Sequence, residues 1–340
     1  MHMIDDRIVW LPYPPDGIVG LPKGLAYQHW DGSPDYPGDP AHVQFLVGPT
    51  APGAEKSLRD LLLRTHGLEV LQLLSSGYEH IAPLMDGLPR GAQVSTGRGV
   101  HREATAELAV ALLLALARGI DDFVRRQAAG DWKRSTWRTL FGKRVLVVGH
   151  GSVGAAVAAR LRPFGCEVVS VARTARATAE DRVHGAAELT ALLPTVGAVV
   201  LCTPLTEETR GLLNADTLAL LADGSLVVNV GRGELVNTEA LTREVASGRL
   251  RAALDVTDPE PLPPGHALWG LPDALITPHV AAFTDEFHRM TERYLVEQLR
   301  RFDRREPIAN VVFTAHDRAV NHTGGHRLRN EGGRRNARVA

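Results

Sequence analysis

Residues 143–164 read KRVLVVGHGSVGAAVAARLRPF, and the rest of the chain takes its meaning from them. Residues 145–148 are an apolar, β-branched run that predicts a buried strand. Gly149-His150-Gly151-Ser152-Val153-Gly154 follows at once, as Gly-x-Gly-x-x-Gly, and residues 155–161 continue as a helix that is small and apolar on one face. Gly149 permits the tight turn, Gly151 lets a pyrophosphate approach the backbone, and Gly154 lets helix and strand pack closely. Ser152 and Val153 lie in this turn, among the expected cofactor contacts, and the phosphates are expected at the positive N-terminus of the helix. A glycine-rich turn alone is common. Set between a strand and a helix, it points to dinucleotide binding rather than an ordinary tight turn. His150 is assigned no chemistry.

The strand–helix rhythm continues in both directions. Toward the C-terminus, strand-like runs fall at 167–171, 198–202, 225–230, 252–256 and 275–277, with helical stretches at 187–193, 215–221 and 238–247. Right-handed crossovers then predict an α/β doubly wound parallel sheet with ligands at the carboxyl ends of its strands. Toward the N-terminus, strands at 7–11, 43–47 and 70–74 and a helix at 54–66 predict a smaller parallel α/β unit. A loop rich in Pro, Gly and Asp runs to Pro40. Between the two units, residues 103–126 read as one long helix, apolar nearly all round through Leu108, Leu112, Leu113, Leu114 and Leu116. Such a helix is expected to be buried, crossing between domains or forming a subunit interface. Residues 285–302 read as a further helix, and 307–312 close the folded part. Residues 314–340 are rich in Arg, Gly, Asn and His, which predicts a disordered, solvated tail.

Composition narrows the class. A chain of 340 residues is long enough for two domains and a sizeable core. It is 44% hydrophobic and 23% charged, ordinary for a soluble globular protein. A net charge of −1 gives no global attraction to nucleic acid or an acidic membrane. The longest apolar run, 108–117, falls short of the ~20 residues needed to span a bilayer. The acidic start, MHMIDDRIVW, does not read as a signal peptide. Cys166 and Cys202 lie near apolar strands and are expected as buried thiols rather than a disulfide. These features point to the cytosol. Nearly all basic residues are Arg; Lys23, Lys56, Lys133 and Lys143 are the lysines.

The polar residues at predicted strand ends carry the chemistry. Asn229-Val230-Gly231-Arg232-Gly233 follows a buried strand, where an Arg can clamp a carboxylate in bidentate fashion or simply be a solvated turn residue. Asp255 lies inside the apolar run 252–256, which is costly unless something binds it. Glu260 sits between two prolines that fix its direction. His279 follows another strand end, in Thr277-Pro278-His279-Val280-Ala281-Ala282, and with a carboxylate nearby it is a plausible proton donor. A His after Pro is more often structural. Arg232, Glu260 and His279 on successive strand ends of one nucleotide sheet shift that balance.

With these pieces in place the chain resembles the D-isomer-specific 2-hydroxyacid dehydrogenase family. The matching motifs are VLVVGHGSVG, LCTPLTEETRGLLN, VVNVGRGELVNTEAL, ALDVTDPEPLP and ITPHVAAFT, with SSGYEHI similar to the substrate loop and TAELAVALLLALAR to the interdomain helix. The resemblance covers residues 7–312. It implies a Rossmann domain, about residues 100–286, and a smaller, discontinuous flavodoxin-like substrate domain, about 1–99 plus 287–313, closing on a cleft that excludes water. It also implies a homodimer joined through the long helix region.

Site roles follow from the same resemblance. Arg232 would bind the substrate carboxylate and polarise the keto oxygen. His279 would exchange the proton with that oxygen, and Glu260 would pair with His279 and raise its proton affinity. Backbone N–H groups of Ser76, Gly77 and Tyr78 would hold the other end of the carboxylate. Asp255 would hold the nicotinamide carboxamide, and Thr203-Pro204 would flank the nicotinamide. Thr209, Val230, Gly231, Ala281 and Ala282 complete the expected cofactor contacts, with the 149–154 turn. No metal is expected.

One departure concerns the cofactor. NAD-preferring members usually carry an acidic residue at the end of the second strand. Here Val171 is followed by Ala172-Arg173-Thr174-Ala175-Arg176. A carboxylate would repel a 2′-phosphate, whereas Arg173 can pair with it, helped by Thr174 or Arg176. The expectation is NADP(H), with NAD(H) possible. Glu260 argues against formate dehydrogenases, which have Gln there, and no long C-terminal regulatory domain is expected, so serine-pathway enzymes that carry one fit poorly. The leading expectation is reduction of a small 2-keto acid such as glyoxylate or hydroxypyruvate. The alternatives are NAD-linked oxidation in reverse and a non-catalytic, cofactor-sensing corepressor.

Overall fold

The structure, a computed structural model, describes residues 7–49, 53–79, 81–179 and 182–316. In chain order its elements are β1 (Arg7–Leu11), β2 (Leu25–His29), β3 (Val43–Val47), α1 (Glu55–Leu62), β4 (Val70–Gln72), β5 (Gln93–Ser95), α2 (Arg102–Arg118) and α3 (Ile120–Ala128). Then come β6 (Arg144–Val148), α4 (Ser152–Leu161), β7 (Glu167–Ala172), β8 (Arg176–Ala177), β9 (Arg182–Gly185), α5 (Leu189–Leu192), β10 (Ala198–Leu201) and α6 (Ala215–Ala219). The chain continues through β11 (Leu226–Asn229), α7 (Thr238–Ala246), β12 (Arg251–Leu254), β13 (Ala274–Ile276), α8 (Phe287–Asp303) and β14 (Val311–Thr314).

These strands form two sheets. The first runs β14-β5-β4-β3-β1-β2, and the second runs β13-β12-β11-β10-β6-β7-β9-β8. Pairing is parallel throughout except for β14 on β5 and β8 on β9. Within the first sheet, β2-β1-β3-β4-β5 is the flavodoxin-like order. Within the second, β9-β7-β6-β10-β11-β12 is the Rossmann order, and it reverses direction between β6 and β10. The fold is therefore mixed α/β with two domains.

The core follows from strand alternation. Val145 and Val147 face α2 and α4, joining Ala106, Ala109, Leu113, Leu116, Val157 and Leu161. Leu146 and Val148 face the other way, toward Leu201, Leu213, Leu235 and Leu241. In the first sheet, α8 lays Leu295, Leu299 and Phe302 on Val9, Phe45 and Val47. Gln298 on α8 is fully buried, and its Nε2 bonds Gln72 Oε1 at 2.8 Å and Ser95 Oγ at 3.0 Å. That network ties α8 to the ends of β4 and β5.

Several expectations needed correction. The long helix is two helices, because the chain turns left-handed at Gly119 (φ 62°) and the backbone ladder is interrupted there. Nor is it buried all round: Ile120, Phe123 and Val124 on α3 are exposed. β2 lies within the segment read as a loop to Pro40, and pairs with the edge of β1. Residues 54–66 yield a shorter helix, α1, and 187–193 wind only partly as α-helix. Thr314, expected in the tail, ends β14, and Ala315 is buried. The rest of the expected tail, 317–340, lies outside the described residues, as does His80.

Cys166 and Cys202 are free thiols. Both are half-buried, and burial pushes the Cys202 thiol up to about 12. No helix among the described residues is long and apolar enough to cross a membrane.

Candidate active site

The glycine turn joins β6 to α4 at the point where the sheet order reverses. Gly149 has φ 97°, and a Cβ there would lie 2.6 Å from Thr203 N, so the turn admits only glycine. A Cβ at Gly154 would lie 1.7 Å from Gly149 O, which fixes how closely α4 sits on the turn. Gly151 is the opposite case, with open space where its Cβ would be. Gly151 is also the N-cap of α4 and provides no side chain to accept the first-turn N–H groups. An unscreened helix N-terminus beside an open backbone fits the pyrophosphate of a dinucleotide.

Thr203 and Pro204 follow β10 directly across from Gly149. The loop after them is braced by Thr209, whose Oγ1 donates to Pro204 O (2.8 Å) and accepts from Thr206 N (2.7 Å). Arg173, Thr174 and Arg176 are exposed beyond β7. Arg176 Nη2 donates to His150 O at 2.7 Å, so this arginine reaches the glycine turn. Glu208 is held below the ordinary carboxylate range by Thr206 and its own backbone, with Arg173 adding to the effect.

Arg232 follows β11. Asn229 staples its turn, accepting from Gly231 N (3.0 Å) and donating to Arg232 O (2.8 Å). Arg232 Nη1 donates to Gly231 O at 2.7 Å. The guanidinium then crosses to the other sheet: Nη2 lies 1.9 Å from where a Cβ at Gly77 would be, and Nε lies 3.4 Å from Glu79 Oε1. The expected carboxylate clamp and the expected substrate loop thus meet. Ser75 Oγ donates to Gly77 O (2.7 Å) and shapes that loop, leaving Ser76 and Tyr78 exposed.

His279, Glu260 and Asp255 converge at the ends of β12 and β13. His279 Nδ1 meets Glu260 Oε1 at 2.5 Å, with both side chains half-exposed. A carboxylate only accepts, so Nδ1 carries the hydrogen and Nε2 is the nitrogen left for chemistry. The segment bearing Glu260 is pinned by Thr238 Oγ1 on Asp258 O (2.6 Å) and Thr257 Oγ1 on Pro259 O (2.9 Å). His279 has φ 53°, a left-handed conformation uncommon outside glycine.

Asp255, 1% exposed, supplies the reason that backbone holds. Its Oδ1 accepts from Thr277 Oγ1 (2.6 Å) and Val280 N (3.0 Å), and its Oδ2 from Ala281 N (3.1 Å). Its own carbonyl accepts from His279 N (2.8 Å). Three accepted bonds leave one of a carboxylate's roughly four lone-pair directions, on Oδ2. Val230 and Ala281 are buried beside this loop; Ala282 is half-buried.

No hydrogen bond or ion pair joins Arg232 to His279 among the described residues. Among the same residues no cluster of three or more His, Cys, Asp or Glu is arranged for a metal ion. Three contributors escaped the sequence reading. Asn229 and Thr277 are polar residues closing apolar strands, a signal visible in the sequence. Glu79 stood within a motif but carried no sign of its partner.

Fold and crevice together define a two-domain α/β protein of the dinucleotide-binding Rossmann type. Residues 110–281 match the family described as D-isomer specific 2-hydroxyacid dehydrogenase, NAD binding domain. The chain is 36% identical to the mouse (Mus musculus) glyoxylate reductase/hydroxypyruvate reductase over 232 residues, covering 64% of this chain and 68% of that one. It is 31% identical to the Thermococcus litoralis glyoxylate reductase over 272 residues, 76% and 81% of the two chains. A structure of a D-isomer specific 2-hydroxyacid dehydrogenase from Xanthobacter autotrophicus Py2, in complex with NADPH and MES, superposes with a TM-score of 0.76. It is 31% identical and covers 91% of this chain and 98% of its own. The chain belongs to the D-isomer specific 2-hydroxyacid dehydrogenase family, and is an NAD(P)-dependent oxidoreductase acting on a CH–OH group.

Proposed function

We propose that this protein reduces a small 2-keto acid, of the glyoxylate or hydroxypyruvate kind, to the D-2-hydroxy acid, using NADPH in preference to NADH. Two observations carry the reading: Arg232, just past β11, lies over Gly77 of the substrate loop, and His279, just past β13 of the same sheet, pairs with Glu260. The names of the mouse and Thermococcus relatives support the substrate class. NADPH in the Xanthobacter structure, and arginines instead of an acid after β7, support the cofactor preference.

The nicotinamide, when bound, supplies the hydride. The protein's own groups do the rest. Arg232 and the N–H groups of Ser76, Gly77 and Tyr78 bind the carboxylate and fix the carbonyl in place. Arg232 also withdraws charge from the keto oxygen. His279 hands a proton from Nε2 to that oxygen as it becomes an alkoxide. Glu260 holds the ring through Nδ1 and balances the imidazolium. Asp255 holds the loop that presents the ring, with an acceptor to spare for a carboxamide N–H. Thr203, Pro204, Thr209, Val230, Gly231, Ala281 and Ala282 would line the cofactor, and Arg173, Thr174 and Arg176 would receive its 2′-phosphate.

The same reading divides the chain into a substrate domain, about 1–99 plus 287–313, and a cofactor domain, about 100–286. Closure between them would exclude water. It also takes the protein to be a cytosolic homodimer. The exposed apolar residues Ile120, Phe123 and Val124 on α3, with Trp132 at 95% exposure on the segment that follows, support a partner copy on this face.

A panel of 2-keto acids assayed with NADPH and NADH tests the proposal. Turnover of glyoxylate or hydroxypyruvate with a higher kcat/KM for NADPH is the expected result. A higher kcat/KM with NADH overturns the cofactor preference. Cofactor binding without turnover of any 2-keto acid favours a cofactor-sensing protein instead.

A further inference from the structure

Arg232 has a carboxylate beside it already. Its Nη1 is committed to Gly231 O, so the edge formed by Nε and Nη2 is the one free to grip a carboxylate in bidentate fashion. Glu79 faces that edge, with Oε1 3.4 Å from Nε. A Cβ at Gly77 would lie 1.9 Å from Arg232 Nη2 and 2.5 Å from Glu79 Oε2, so both charged groups overhang the same peptide. At 3.4 Å the pair is an ion pair rather than a well-formed hydrogen bond. The Glu79 side chain is 43% exposed, so water can take over its solvation when the pair parts.

We propose that Glu79 is an internal competitor: a carboxylate of this chain that competes with the substrate carboxylate for the Nε–Nη2 edge of Arg232. The proposal rests on the reading of Arg232 as the carboxylate clamp and adds its regulation. Binding is then an exchange of one carboxylate for another. A substrate that presents two oxygens to the fork at hydrogen-bond distance displaces Glu79, whose Oε1 stands off at 3.4 Å from Nε. An anion that cannot reach both nitrogens does not. Glu79 thereby raises KM for every 2-keto acid and suppresses loose anion binding in the crevice. It acts through Arg232 and touches no reacting atom.

The test is a double-mutant cycle on the full chain, with KM and kcat for glyoxylate and the Ki of oxalate as readouts. Glu79→Gln keeps the side-chain shape and removes the charge. KM and the oxalate Ki are expected to fall together by about two- to fivefold, the range of an exposed ion pair, with kcat nearly unchanged. Arg232→Gln is expected to raise KM at least about tenfold, the loss of a charge-assisted bond, and in that background Glu79→Gln should lower KM by a smaller factor than it does in the wild type. A Glu79→Gln KM that is unchanged or raised, while Arg232→Gln raises it, overturns the proposal alone and makes Glu79 an orienting group. An Arg232→Gln KM equal to that of the wild type removes the clamp reading itself.

Discussion

Asp255→Asn is the substitution that probes the site most sharply, because it is isosteric and alters only charge and hydrogen-bond polarity. Asp255 accepts from Thr277 Oγ1, Val280 N and Ala281 N, all through charge-assisted bonds in a buried setting. An amide keeps one acceptor oxygen and turns an NH2 toward the other side. If the oxygen stays on Thr277 and Val280, the Ala281 N–H faces a donor and loses its partner. A buried polar group left unsatisfied costs about 1–3 kcal/mol. That is enough to release His279 from its left-handed backbone, since such a conformation itself stores about 1–2 kcal/mol. The whole chain should stay folded, because native stability is about 5–15 kcal/mol. Misplacing the ring by the same 1–3 kcal/mol corresponds to a loss of about 5- to 150-fold in kcat/KM. Steady-state kinetics beside thermal melting measure both quantities. Thr277→Val, which removes one hydroxyl and leaves both backbone bonds, should cost less in each. Wild-type kcat/KM and Tm for Asp255→Asn would refute the idea that this carboxylate holds the His279 loop.

Three further expectations concern other parts of the chain. Arg173→Asp should swing the ratio of kcat/KM values toward NADH by about 10- to 100-fold, the worth of a charge-assisted bond and its reversal; an unchanged ratio shows that Arg173 does not read the phosphate. Burial holds the His101 imidazole below its ordinary range, and its ring stacks on Phe287 at 4.8 Å. The unfolded chain therefore binds a proton first, so the stability His101 contributes is fully present above about pH 6.5 and is lost as pH falls through its folded value. His101→Phe keeps the stack, and its Tm should fall less between pH 7.5 and 5 than that of the wild type. Arg251 bridges buried Asp121 (3.1 Å) and Asp273 (2.7 Å) and stacks over Trp137 at 4.6 Å. Arg251→Met leaves Asp121 with Arg125 (3.1 Å) as its remaining cation and should cost about 1–3 kcal/mol by chemical denaturation; an unchanged stability would contradict the pairing.

What was readable in the sequence divides along physical lines. β6 and its glycine turn were legible because a doubly covered parallel strand is a continuous β-branched run and the turn admits only glycine. Edge strands and very short strands lack that signature. β2, with the sequence LAYQH, is only partly covered, and β5 has three residues whose burial is supplied by neighbours distant in sequence. Gly119 broke the long helix because a single glycine inside an apolar run can be either tolerated or a stop, and periodicity does not say which. In the candidate site, Arg232, Glu260 and His279 stood out as charged or titratable groups just past apolar strands. The need of Asp255 for partners was legible from its burial. Their identity was not, because Val280 and Ala281 offer backbone N–H groups that no side-chain pattern records. Glu79 was invisible as a partner of Arg232, since their contact exists only once the two sheets face each other.

The central claim is that the imidazole at position 279, held by Glu260, is the proton donor of a reductase. His279→Asn tests it most directly, because asparagine tolerates the left-handed backbone and keeps the amide bonds of the loop while removing the ring. Turnover of glyoxylate under saturating NADPH, with cofactor binding measured on the same sample, is the measurement. A fall in kcat of about 10²- to 10⁴-fold with cofactor affinity retained is the predicted result. A kcat within a few-fold of the wild type would contradict it.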